Sequence, residues 1–193
     1  MRFLFATKNR NKLKEIQEIL KNDIQLISLE DVDFTDDIPE PFDTLEKNAS
    51  AKSRTIFKRF GINCFADDTG LEVDALGGKP GVYSARYAGE NKSDKDNVAK
   101  LLKELEGVSN RKAQFRTVIS LIENGKEIFF EGVARGEIIE SERGEKGFGY
   151  DPVFLPEAYN KTFAEMNMEE KNKISHRSIA VKKLCNYLNS QKK

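Results

Sequence analysis

The stretch FADDTGLEVDALGGKPGVYSARYAG, Phe65 to Gly89, decides how the chain is read. A short apolar run, Ile62 to Ala66, leads into two adjacent aspartates, Asp67 and Asp68, and then into Thr69 and Gly70. A single Asx-Gly is enough to turn a chain. Two neighbouring carboxylates repel each other, so the second one at a strand end implies a cation that shares the charge. If the strand continues that far, the two side chains point in different directions, because successive strand residues alternate.

Bulk composition bounds what such a cation can serve. At 193 residues the chain is expected to form one domain, 1–193, with a sizeable core. The 32 basic and 32 acidic residues cancel, so no global field would hold the protein on nucleic acid or on an anionic membrane, and a small-molecule partner is expected. Cys64 and Cys185 stand alone without CxxC spacing, which disfavours structural zinc and a disulfide framework. No segment approaches the ~18 apolar residues of a membrane span, so a cytoplasmic location is expected.

Working outward from the opening stretch, the pattern predicts strands and helices in alternation. Arg2 to Ala6 reads as a buried strand, Asn11 to Leu20 as a helix with Leu13, Ile16, Ile19 and Leu20 on one face, and Ile24 to Leu29 as a second strand. An acid-rich loop, Glu30 to Asp43, precedes a helix capped by Asp43 or Thr44 and released at Gly61. Ser93 and Asp96 resemble a capping box for a helix that Gly107 would end. Gln114 to Ile122 and Glu127 to Ala134 flank Asn124-Gly125, the pair of a type I′ hairpin. Ser175 is expected to cap a last helix with Ile179, Val181, Leu184 and Leu188 on its apolar stripe. Strands alternating with helices early and a hairpin later imply an α/β fold with a mixed sheet.

Four constellations can carry chemistry, each beside a plainer reading. ATKNRNK, Ala6 to Lys12, lies at a strand-to-helix junction, where Thr7, Asn9 and Lys12 add donors to backbone amides that favour anions; alone, it reads as an ordinary polar cap. Glu40, Asp67 and Asp68 supply the hard oxygens that magnesium takes together with phosphates, or they are a cap and a solvated loop. Lys52 shares a helix side with Thr44 and Asn48 by i, i+4 spacing and can reach a phosphate or water. In KGFGYDPVF, Lys146 to Phe154, Gly147 and Gly149 permit a loop that presents Phe148 to a base, with Asp151 nearby, or a turn whose rings pack on the core. EEKNKISHR, Glu169 to Arg177, gathers Lys171, Arg177 and the only histidine, His176, into a donor-rich patch suited to a carbonyl such as purine O6.

In this order, and over nearly the whole chain, the four stretches resemble the inosine triphosphate pyrophosphatase family, with KTFAEM, Lys161 to Met166, between the last two. The resemblance implies an elongated mixed β-sheet flanked by helices, in two lobes with the substrate cleft between them, and a homodimer. It implies hydrolysis of deaminated purine nucleoside triphosphates with Mg2+. Asp68 would be the general base, Glu40 and Asp68 would hold the metal, and Lys52 with Lys12 would stabilise the departing pyrophosphate. Thr7, Lys8, Asn9, Arg10, Asn11, Lys12 and Thr69 would bind the substrate together with Phe148, Gly149, Tyr150 and Asp151, and Lys171, His176 and Arg177 would surround O6. Thr69 stands where serine is common in the family and keeps the hydroxyl.

Overall fold

A computed structural model of the chain describes residues 2–20, 24–91 and 93–191. Strand β1 (Arg2–Phe5) is followed by helix α1 (Arg10–Leu20), and β2 (Gln25–Ile27) returns parallel to β1 with Leu4 opposite Ile27. Thr44 caps α2 (Leu45–Phe60) by accepting the Lys47 N–H, and Gly61 leaves the helix at φ 66°, a left-handed angle suited to glycine. β3 (Cys64–Val73) then lies parallel to the other side of β1, with Phe5 opposite Phe65.

The strand does not end at the aspartates. β3 runs on through Asp67, Asp68, Thr69 and Gly70 to Val73, and its last part pairs antiparallel with β4 (Pro80–Gly81). Gly70 permits that pairing, since a Cβ there would sit 2.6 Å from the Gly81 carbonyl oxygen.

Ser93 caps α3 (Asp94–Glu104), which closes on Leu105, two residues before Gly107. The hairpin strands β5 (Lys112–Glu123) and β6 (Lys126–Ile138) are longer than their apolar patterns, and Asn124 and Gly125 join them at φ 50° and 79°. β7 (Phe154–Pro156) pairs antiparallel with β6. Two helices follow, α4 (Met168–Ile174) and α5 (His176–Ser190). Ser175 ends α4 and stands in extended conformation directly before His176, the first residue of α5, the position from which it was expected to open the last helix. The signal for α4 is the capping box of Asn167 and Glu170, which the sparse apolar pattern of MEEKNKI hides. Among the described residues the strands form one mixed seven-stranded sheet of order β2-β1-β3-β5-β6-β7, with β4 on β3. No described helix is long and apolar enough to cross a membrane.

Residues group into two compact units. The first comprises Met1–Asp68, Thr117–Gly132 and Arg177–Lys193, and the second Thr69–Arg116 and Val133–His176. In the first unit, pleating sorts the strand residues. Phe3, Phe5 and Phe65 pack with Ile16 and Leu20 of α1 and with Val181 and Leu184 of α5. Leu4, Ala6, Cys64 and Ala66 pack with Ile56 of α2. Continuing the alternation along β3 puts Asp67 on the α1 and α5 face and Asp68 on the α2 face. The second unit packs Leu71 and Val73 of β3 with Val98 and Leu101 of α3 and with an aromatic group in which Phe154 lies 4.7 Å from Phe115 and 5.1 Å from Phe163.

Gly70→Ala forces a methyl into the β4 backbone. The expected outcome is a loss of about 1–3 kcal/mol, read as a lower urea midpoint at unchanged m-value; an unchanged midpoint would show that β4 yields freely.

Candidate active site

Each aspartate of β3 meets its own cations. Lys12, in the first turn of α1, places Nζ 3.0 Å from Asp67 Oδ2, and Arg177, in the first turn of α5, places Nε 3.4 Å from the same oxygen. Arg177 Nη1 also bonds Glu15 Oε2, three residues along α1 from Lys12. Asp67, Glu15 and Arg177 are all buried. Burial alone would push the Asp67 carboxyl up, but Lys12 and Arg177 outweigh it and hold the group well below the usual carboxylate range. Burial likewise pulls the Lys12 ammonium below its ordinary value, against the attraction of Asp67. Asp67 is therefore a fixed anion at neutral pH.

On the other face, α2 presents Asn48 and Lys52 one turn apart. Lys52 Nζ lies 3.0 Å from Asp68 Oδ1 and 2.6 Å from Glu40 Oε1, and Asn48 Nδ2 donates to Asp68 Oδ2 at 3.3 Å. Burial raises the Asp68 carboxyl above its ordinary value; Lys52 opposes that rise and the Glu40 charge adds to it. Burial also works against the Lys52 ammonium, but Asp68 and Glu40 leave it raised and charged. Neighbouring residues of one strand are thus driven apart in proton affinity, the pattern that separates a permanent anion from a proton acceptor.

Because Glu40 and Asp68 meet on one ammonium, their oxygens already surround a cationic position. Among the described residues no three His, Cys, Asp or Glu side chains gather as a metal cage. A hard cation held here would use these two carboxylates and complete its shell with phosphate oxygens and water, as Mg2+ commonly does.

The element at the start of α1 divides its labour. Asn9 Oδ1 accepts the N–H groups of Asn11 at 3.0 Å and Lys12 at 3.1 Å, and Thr7 Oγ1 accepts the Asn9 N–H at 3.2 Å. Lys8 Nζ bonds the Thr35 carbonyl at 2.6 Å and Asp37 at 2.7 Å, while Arg10 pairs with Glu30 at 3.2 Å. Of the six residues expected on substrate, Lys12 reaches the acidic centre, Thr7, Asn9 and Asn11 form the turn, and Lys8 and Arg10 tether the loop that leads to Glu40.

In the second unit, Gly147 and Gly149 flank Phe148 at φ 78° and 62°. Buried Asp151 accepts from the Phe148 N–H at 2.9 Å and from Lys171 Nζ at 2.7 Å, and that ammonium lies 5.2 Å from the centre of the half-buried Phe148 ring. Ring and cation are thereby fixed together. The Gly149 N–H goes to Asp94 at 2.7 Å, and buried Tyr150 donates its hydroxyl to the Ser84 carbonyl at 2.8 Å, so both hold the loop in place. His176 is buried and stacks on Phe115 at 4.6 Å and 15°. Thr69 is half-buried on β3. Arg177, expected at O6, spends its guanidinium on Asp67 and Glu15.

Two contributors escape the sequence reading. Glu15 lies at i+3 from Lys12 on the same helix side, a spacing that signals a buried partner only once Arg177 is known to arrive. Asn48 shares a helix side with Lys52, but the spacing does not show its bond to Asp68.

Asp67→Asn removes the counter-charge from half-buried Lys12 and buried Arg177, and the expected cost is about 3–5 kcal/mol in urea unfolding at pH 7. The folded-state pKa of Asp67 is depressed, so its contribution is full above the ordinary value of 3.8 and is lost as pH falls from there through the folded value. The gap between wild type and variant should narrow over that acid range; a constant gap would remove the ion pairs as its cause.

The sequence of residues 3–187 matches the model of the Ham1 family. A protein of Flavobacterium johnsoniae called dITP/XTP pyrophosphatase is 54% identical over 192 residues, covering 100% of both chains. The Ham1 protein of Coxiella burnetii superposes with TM-score 0.91 at 39% identity, over 98% of this chain and 99% of that one. That of Staphylococcus aureus superposes with TM-score 0.90 at 40% identity, over 99% and 100%. With a full-length sequence match and the same mixed sheet flanked by helices, the chain belongs to the Ham1 family.

Proposed function

We propose that the chain hydrolyses deaminated purine nucleoside triphosphates, ITP, dITP and XTP, at the α-phosphorus, giving the monophosphate and pyrophosphate. The observation that carries this reading is the convergence of Asp68 and Glu40 on Lys52, with Asp68 raised toward a proton acceptor, in a chain whose relatives bear the name dITP/XTP pyrophosphatase. Asp68 accepts the proton of the attacking water and orients its lone pair toward phosphorus. Lys52 and Lys12 stabilise the charge that moves onto pyrophosphate as it leaves. Asp67, fixed as an anion, keeps Lys12 charged and aimed.

Glu40 and Asp68 would hold Mg2+, which when bound neutralises phosphate charge and polarises the anhydride. Thr7, Asn9 and Asn11 shape the turn beside the phosphates, and Lys8 and Arg10 act through the acidic loop. In the second unit, Phe148 stacks on the base, Lys171 donates to the C6 carbonyl, and Asp151 holds both in place. Adenine presents an amino group at C6, which leaves such a donor unpaired, a mismatch that can cost about 10⁴-fold. The reading carries with it the homodimer that the family resemblance implies and the cytoplasmic residence expected from the sequence.

Product analysis of XTP and ITP hydrolysis in ¹⁸O water tests the reaction. Label in the monophosphate is expected; orthophosphate with a diphosphate, or a preference for UTP or ATP, overturns the reading. Asp68→Asn should lower kcat by about 10²–10⁴-fold with substrate still binding. Because the base must be ionised and its pKa is raised, kcat/KM should climb with pH along a limb lying above the ordinary 3.8. A limb at or below that value would remove Asp68 as the base.

A further inference from the structure

The amide of Asn48 makes three bonds with one side chain. Its Oδ1 accepts the Phe42 N–H at 3.0 Å, and its Nδ2 donates to the Phe42 carbonyl at 3.1 Å and to Asp68 Oδ2 at 3.3 Å. Both polar groups of the Phe42 backbone are therefore taken by one residue of α2, much as a strand partner would take them. Phe42 lies two residues beyond Glu40 and is 43% exposed, while both polar groups of its backbone are held, so the backbone anchors this part of the loop. Asn48 is only 1% exposed.

We propose that Asn48 is a positioning residue for the hydrolytic centre, clamping the Glu40 loop to α2 while it sets the plane of the Asp68 carboxylate. The inference rests on the hydrolysis proposed above. One donor on Oδ2 leaves Asp68 Oδ1 to Lys52, and the same clamp sets the distance from which Glu40 reaches that ammonium. The chemistry is specific to an amide of this length. Aspartate keeps an acceptor for the Phe42 N–H but has no donor for the carbonyl, and it sets a third carboxylate against Asp68 and Glu40. Alanine suits the helix and loses all three bonds.

The test pairs Asn48→Ala and Asn48→Asp, reading amide hydrogen exchange at Phe42 in the metal-free protein and steady-state hydrolysis of XTP. In Asn48→Ala the Phe42 amide should lose its protection and kcat should fall about 10- to 100-fold, with KM for XTP little changed. In Asn48→Asp the protection should remain while kcat still falls. An equally protected Phe42 amide in the alanine variant, or a wild-type kcat in either variant, overturns the proposal. If Asn48→Ala does not fold, the near-isosteric Asn48→Asp decides alone through its kcat. Failure of the underlying hydrolysis looks different: wild type itself then turns over no XTP, while exchange at Phe42 still reports the clamp.

Discussion

The alternation of side chains along one extended strand is the constraint on which the rest depends. Asp67 and Asp68 are adjacent in the chain, but the pleat of β3 sends them to faces lined by different helices. One face brings Lys12 and Arg177, and the other brings Lys52 and Asn48. Repulsion between neighbours is thereby offset by attraction to cations, and each carboxylate makes its direct ion pairs with a different set. The two groups then take opposite chemical characters, although both are buried aspartates of one strand.

Placing that much charge inside a protein requires supports whose own position is secure. Lys52 projects from a helix capped at both ends, by Thr44 and by Gly61, so its stem starts from a defined point. Ser53, the next residue, bonds Ser120 of β5 at 2.6 Å, and Ser120 bonds Glu127 of β6 at 2.7 Å, which ties the helix to the hairpin through buried hydroxyls. The first unit fixes its acid centre by burial and pairing. The second fixes Phe148 by a different device, a single buried carboxylate that captures both the loop amide and Lys171.

Features governed by local chemistry are legible in the sequence. The caps of α2 and α3 follow from Thr44, Gly61 and Ser93, and the hairpin turn follows from Asn124-Gly125, because each depends on residues within a few positions. Asp-Asp-Thr-Gly reads as a strand exit because its composition is that of a turn. Distant partners override that composition and let β3 continue. The Arg177 ion pair with Glu15 spans 162 positions, and no spacing rule reaches so far. Lys8 and Arg10 look like phosphate donors beside a helix N-terminus, yet the acidic loop is close enough to claim them. Sequence shows which charges a segment brings, while the partner that receives each one is settled by tertiary geometry.

The period of two in β3 also shapes how this segment can change over evolutionary time. Exchanging one side chain leaves every other residue on its own face, so substitutions act one at a time. Adding a single residue between Phe65 and Asp67 would move Asp67 into the position that faces Lys52 and push Asp68 one step beyond it, while deleting one would bring Asp68 to Lys12 and draw Asp67 one step back; either way both aspartates change face at once. Length polymorphism is therefore barred from this strand far more strictly than residue replacement.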